Sequence, residues 1–573
     1  MAGLVSAPAL ATPPGGGDAA RTASVTASLG VYPILGVIWL SLIIFVLYPL
    51  FELLKLVFWQ DGVLTFKPLM DLLEVPYNVK ALYNSLFLGA AVAVSGTFLG
   101  FCFAYFTVRM RAPFWLKWII ATLTLLPLIS PPFTSAISLS MVLGPNGMIL
   151  KMLGIPQINL YGFWLTWTAE TLTYFPVAYL ALSAVLVSLD PSMEDAALSL
   201  GSSPWRVFYT VTLPMTTPGL ANSLLLLFAN SLADFATPLV LAGTYFPVLP
   251  TQAYLQITGL YDYRGGAGLS FLLLVPALAA YLLQHYWVSR RSYVTITGKS
   301  GARSPVRGMG AIGEGFIFTL CLLLSAFVVL LYAIILQASL VKVFGVNHTF
   351  TLEHFEFVFR SGQKAIRDTL IIAAIVTPVG GLMAVIIGFI TFRWKSVANM
   401  FLDFTCMLNY ALPGTVVGIA YVLAFNEEPL QLTNGLTILV TAYIFRYFAA
   451  GIRSVVASLH QIDKNIEEAS ASLGASGTRT FFKITLPLVI PAVLAGMRYL
   501  FIHSMTAISA TIFLVSVNWT LLTTRILEAM SGSELARASA FSVVLIVLVF
   551  ISSGIMAYIV KTYSARLAGA GES

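Results

Sequence analysis

Apolar runs long enough to cross a bilayer recur along this chain near 31–54, 84–108, 114–144, 161–189, 217–243 and 268–288. A second series follows near 311–340, 369–392, 397–425, 434–459, 489–516 and 541–562. A bilayer core asks for about 20 apolar residues per helix, so the pattern predicts about twelve transmembrane helices in two sets of six. None of the runs alternates apolar and polar positions as barrel strands would. Pro131 and Pro132 fall in the third run of the first set and Pro413 in the third run of the second. A proline removes a helical donor and crowds the preceding turn, so both helices are expected to be kinked or broken. The predicted fold class is all-α integral membrane, with two six-helix repeats.

Composition agrees. Of 573 residues, 58% are hydrophobic and only 10% charged, with a mean hydropathy of +0.89. Soluble domains carry about 25% charged residues, and a disordered or nucleic-acid-binding chain would show the opposite balance. The expected environment is a lipid bilayer, with no nucleic-acid partner. Cys102, Cys321 and Cys406 lie in apolar stretches without C-x-x-C spacing, which predicts buried, reduced thiols rather than disulfides or a zinc ribbon.

The net charge of +7 matters through its placement. Arg109, Arg111 and Lys117 flank the second-to-third connection, and Arg393 and Lys395 repeat them in the second set. Arg290, Arg291, Lys299, Arg303 and Arg307 crowd the stretch between the sets, and Lys561 and Arg566 follow the last run. All fall on one side if both termini are cytoplasmic, as the positive-inside rule asks. The reading divides the chain into a disordered tail (1–29), a first repeat (30–289), a basic cytoplasmic linker (290–310), a second repeat (311–563) and a C-terminal tail (564–573).

An internal repeat sharpens this. Asp190–Leu220 and Asp463–Val493 match at an offset of 273 residues, with 13 of 31 positions identical. The shared positions include Glu194/Glu467, Ala196/Ala469, Gly201/Gly474, Arg206/Arg479, Leu213/Leu486 and Pro214/Pro487, and Asp195 and Glu468 keep the acidic type. Each copy sits between the fourth and fifth runs of its set, so the repeats run parallel. Asp190 or Asp463 can cap a short helix whose first turn carries carboxylates, where the helix dipole favours them. Gly201 or Gly474 then permits a left-handed turn. A second amphipathic piece follows, which Leu-Pro is expected to stop before the chain re-enters the membrane. Two such copies suit a two-fold partner; the blander reading is an interfacial helix lying on the headgroups.

The pattern E-[DE]-A-x-x-x-L-G, followed by Arg and [IV]-T-L-P, resembles the EAA loop of permease subunits of bacterial ATP-binding-cassette importers. The resemblance covers nearly the whole chain, in the fused form with both halves in one polypeptide. It implies that each loop is a coupling helix docking on one of two copies of a cytoplasmic ATP-binding subunit. It also implies a periplasmic substrate-binding protein and a place in the bacterial inner membrane. Ser470 departs from the usual Ala, which Ala197 keeps. Gly298-Lys299-Ser300 is not a phosphate-binding loop, since Tyr293 stands where a glycine is needed. The chain is therefore expected to hold no cofactor and no catalytic site, with ATP hydrolysis on a separate subunit.

The remaining polar residues are candidates only. Asp234 lies in an apolar run and opposes Ala507 at the repeat offset; an ionisable group at such depth marks a pathway by default. Glu170 and Arg446, in the two fourth runs, could pair or line a wet cavity. His503 could be a ligand but suits a packed core histidine better. His348, Glu353, His354 and Glu356 could ligate a cation, or simply start a helix. No nucleophile–base set or metal site stands out. Asp234–Pro238 and the segments 259–270, 290–299 and 510–519 resemble the ferric-iron permease group. That implies ferric iron as substrate, with 2-aminoethylphosphonate or another organophosphate as the alternative. An ion-coupled secondary transporter shares the parallel six-span repeat but would not need duplicated coupling loops.

Overall fold

The computed structural model describes residues 32–288 apart from 146, 153 and 155–157, together with 309–393 and 396–569. The expected N-terminal tail, nearly all of the basic linker and the Gly298–Ser300 triplet lie outside them.

The first half opens with helix α1 (Tyr32–Phe58), a hairpin of β1 (Trp59–Gln60) and β2 (Val63–Leu64), and α2 (Lys67–Glu74). It continues through α3 (Pro76–Val108), α4 (Phe114–Ile129), α5 (Phe133–Leu143), α6 (Phe163–Ser188), α7 (Pro191–Ser199) and α8 (Pro204–Ala233). Next come α9 (Ala236–Leu241), α10 (Leu249–Leu260) and α11 (Tyr263–Leu282).

The second half repeats that order: α12 (Ala311–Ser339), β3 (Val341–Val343), β4 (Asn347–Phe350) and α13 (Glu353–Arg360). The long α14 (Gln363–Arg393) precedes α15 (Val397–Ala411), α16 (Gly414–Phe425), α17 (Leu436–Leu459), α18 (Lys464–Ser472) and α19 (Gly477–Thr506). It closes with α20 (Thr511–Leu514), α21 (Leu522–Ser531) and α22 (Leu535–Gly569). Among the described residues, eleven helices are long and apolar enough to cross a membrane, counting as one the Phe133–Met152 stretch that α5 opens, and the bent α15–α16 pair makes a twelfth.

Each half is built on three packed helices, α3, α6 and α8 in the first and α14, α17 and α19 in the second. Small residues let the backbones approach: a Cβ at Gly496 would lie 2.8 Å from the Cα of Gly451. The predicted breaks are present. Leu412-Pro413 separates α15 from α16 with a bend of 105°, and Ser130–Pro132 interrupts the first half between α4 and α5.

The first helix of each half packs against the other half. Ile38, Leu42 and Val46 of α1 join a core with Tyr421, Phe445 and Phe448 of the second half. A π-helical turn over Ile43–Leu47 leaves the Phe45 carbonyl free to accept from the Tyr421 hydroxyl at 2.6 Å. Reciprocally, Ile317 and Cys321 of α12 pack with Phe103 and Phe106, and the Tyr332 hydroxyl lies 2.5 Å from Ser130 Oγ at the first-half break. The three cysteines are buried and free.

Three expectations need correction. The fifth span of each half begins well before residue 217 or 489, because α8 and α19 run unbroken out of the repeated loops. Leu213-Pro214 and Leu486-Pro487 accordingly do not stop a helix. Each follows a π-helical turn, Phe208–Thr212 or Phe481–Thr485, where Leu213 N–H reaches back to Phe208 O and Leu486 N–H to Phe481 O. The widened turn makes room for a ring that would otherwise crowd the carbonyl four residues back. At the C-terminus α22 continues to Gly569, into the segment read as a tail.

Candidate functional site: the paired coupling loops

Both repeated loops fold as helix, glycine turn, helix. The Asp190 carboxylate accepts from Ser192 N–H at 2.9 Å and the Asp463 carboxylate from Asn465 N–H at 3.0 Å, capping α7 and α18. The Ser192 N–H holds the exposed Asp190 carboxyl below its ordinary range, so the cap is intact at neutral pH and weakens as acid protonates it. Gly201 at φ +85° and Gly474 at φ +80° make the left-handed turns. Ser203 and Ser476 then cap the next turn through the amides of Arg206 and Arg479.

The repeated glutamates are anchors. Glu194 takes Arg109 Nη1 at 3.1 Å on one carboxylate oxygen and the Thr212 hydroxyl at 2.7 Å on the other. Glu467 repeats this with Arg393 Nη1 at 2.5 Å and Thr485 at 3.1 Å. The threonine of the [IV]-T-L-P motif therefore ties the first loop helix to the start of the fifth span. The arginine ties both to the end of the second span. Arg206 and Arg479, singled out with the motif, instead expose their side chains, as do Asp195, Glu468, Ala196 and Ala469. In the sequence Arg109 and Arg393 signal only orientation across the membrane.

At the loop tips Leu200 is 87% and Leu473 89% exposed. Each of the two equivalent tips thus presents an exposed apolar side chain. The Ser470 departure is satisfied locally, its hydroxyl lying 2.9 Å from that of Thr480, where the first loop has Ala197 and Val207.

Deeper in the bundle, Glu170 and Arg446 do not pair. Glu170 is fully buried and accepts from the Ser231 hydroxyl. Asp234 stands at the break between α8 and α9, where it accepts from the amides of Ala236 (3.0 Å) and Thr237 (3.3 Å). The structure thus brings Glu170 and Asp234 to one place in the first half. Arg446 Nη1 donates to Leu412 O at 3.0 Å, at the second-half break. His503 packs between the rings of Tyr447 and Tyr499, at 5.4 and 4.0 Å. His348 lies in β4 and Glu353, His354 and Glu356 in α13. There Thr351 Oγ1 accepts from Glu353 N–H at 3.1 Å, and His354 Nε2 lies 3.0 Å from Val341 O. Among the described residues no three His, Cys, Asp or Glu side chains gather as a metal site.

Comparison with known proteins accords with this geometry. The family described as binding-protein-dependent transport system inner membrane component matches residues 96–293 and again 377–566. The ferric transport system permease protein FbpB of Actinobacillus pleuropneumoniae is 33% identical over 524 residues, covering 89% of this chain and 75% of that protein. A putative ferric transport system permease protein FbpB 1 of Haemophilus influenzae is 35% identical over 495 residues, 84% of this chain and 77% of that protein. The molybdenum transport system permease ModB of Escherichia coli K12 is 29% identical over 202 residues, 34% of this chain and 85% of its own. With two family matches, one across each repeat, the chain belongs to the inner-membrane permease components of binding-protein-dependent ATP-binding-cassette importers.

Proposed function

We propose that this chain supplies both halves of the conduit of an ATP-driven importer for ferric iron, working by alternating access with both termini in the cytoplasm. The observation that carries the coupling is the duplicated Arg–Glu–Thr anchor under an exposed leucine knob. Two copies of an ATP-binding subunit grip α7 and α18. Closure of that pair pulls on the second and fifth spans through Arg109/Thr212 and Arg393/Thr485. The cavity between the halves then opens outward, receives iron from a periplasmic binding protein, and releases it inward after hydrolysis. Asp234, Glu170, Arg446 and His503, at or beside the broken helices, are the proposed pathway residues. The relatives named as ferric permeases support the substrate.

The test is uptake of labelled ferric iron by cells with and without the chain, beside a labelled phosphonate. Iron uptake should fall to background on deletion while phosphonate uptake holds; the reverse result replaces the substrate. Charge reversal of Glu194 and Glu467 together should abolish uptake while the protein remains in the membrane. Normal uptake in that variant removes the coupling scheme.

A further inference from the structure

The two halves repeat one order of long helices, yet the chemistry beside their broken third spans differs. In the second half Arg446 projects from α17 to the break, where Nη1 donates to Leu412 O at 3.0 Å, its one hydrogen bond among the described residues. It takes part in none of the ion pairs among the described residues. A Cβ at Gly414 would meet Ser509 Cβ at 2.5 Å and Arg446 Nη2 at 3.3 Å, so Ser509 and the free edge of the guanidinium share the bend. Tyr447 lies under the arginine, 5.7 Å from its carbon to the ring. His503 stacks on Tyr447 and Tyr499, and the hydroxyls of Tyr499 and Tyr410 lie 3.3 Å apart. Arg446, Tyr447, Tyr499, His503 and Ser509 are half-buried and Tyr410 is exposed. At the repeat offset the first half has Thr173, Tyr174, Leu226, Asn230 and Ala236, with no cation. There Thr173 bridges to the break through Ser135 at 3.1 Å, so the bend itself needs no arginine.

A guanidinium at membrane depth with no carboxylate partner is sustained by a ligand or a wet cavity. Its unused donors, set in a fork and joined by hydroxyl donors, suit an oxyanion. We infer that Arg446 and Ser509, with Tyr410 and Tyr499, form one oxyanion-binding station in the second half. Resting on the ferric reading, this adds that iron passes as a complex presenting an oxyanion ligand, since Arg446 repels a bare trivalent cation.

The test uses the full importer in proteoliposomes with its own ATP-binding subunits and binding protein. In the Ser509→Cys protein, an anionic methanethiosulfonate should label the new thiol at least about 10-fold faster than a cationic one. Inorganic phosphate should slow that labelling, and Arg446→Gln in the same background should erase both effects. Ferric uptake should fall at least about 10-fold in Arg446→Gln and partly recover in Arg446→Lys. Equal labelling by both reagents, or labelling by neither, overturns the station. So does unchanged iron uptake in Arg446→Gln when the native protein transports iron. Absence of iron uptake by the native protein would instead overturn the ferric reading, while the labelling preference still decides the oxyanion site.

Discussion

The two coupling loops share one ion pair in two environments. Arg109 and Glu194 expose 4% and 9% of their side chains, whereas Arg393 and Glu467 expose 52% and 23%. The first loop is covered by the approach to α12, the helix that crosses over from the second half. Met309 is buried there, and a Cβ on Gly313 would come within 3.6 Å of Trp205. Identical chemistry therefore has unequal worth. An exposed pair is screened by water and contributes about 0–1 kcal/mol. A buried one, once broken, strands a charge and costs about 3–5 kcal/mol. The first loop is thereby built into both halves at once, and the second is the freer of the two.

The sharpest way to break that contrast is to remove each arginine in turn. Arg109→Ala should destabilise the permease by about 3–5 kcal/mol, seen as a large fall in melting temperature and faster proteolysis at 190–203. Arg393→Ala should change it by about 1 kcal/mol at most. Equal losses would mean that burial does not distinguish the loops.

The tips, by contrast, should behave alike, because Leu200 and Leu473 are equally exposed. Burying a leucine in a partner groove is worth about 1.5–3 kcal/mol. Leu200→Asp and Leu473→Asp should therefore each weaken binding of the ATP-binding subunit by about 10–100-fold, measured on immobilised permease. A deficit at one tip alone would show that the two subunits engage different surfaces. A smaller and again equal effect is expected at the turns. Gly201→Ala and Gly474→Ala meet no atom within 4 Å, so only the positive φ opposes them, at about 1 kcal/mol each. Hydrogen exchange at the following amides would report it.

How much of this was readable in the residues depends on spacing. The span count, the bends at Pro131–Pro132 and Pro413, and the coupling loops all follow from apolar run length, proline chemistry and a fixed repeat offset. The arginine anchors did not follow. Arg109 precedes Glu194 by 85 residues but Arg393 precedes Glu467 by 74, so no constant offset links them. The Thr212 and Thr485 roles are hidden inside a motif whose proline, by sequence alone, signals a helix stop. Exchange of α1 and α12 between halves was illegible because an apolar face does not name its partner. Glu170 and Asp234 lie near one another, with Ser231 bonded to Glu170, because the fifth span ends at Ala233, some ten residues before the apolar run does.

The smallest difference between the loops is also the cleanest to erase. Ser470 and Thr480 bond to each other in the second loop, where the first has Ala197 and Val207. Removing one partner strands a buried hydroxyl and should cost about 1–3 kcal/mol, whereas replacing both with apolar groups of similar shape is nearly neutral. Ser470→Ala alone should therefore lower stability more than Ser470→Ala with Thr480→Val, and the double variant should transport as the native protein does. Melting temperature and uptake of the three proteins check this. A double variant worse than the single one would mean that the hydroxyl pair is needed where the second loop meets its partner, and that the two loops differ in function as well as in burial.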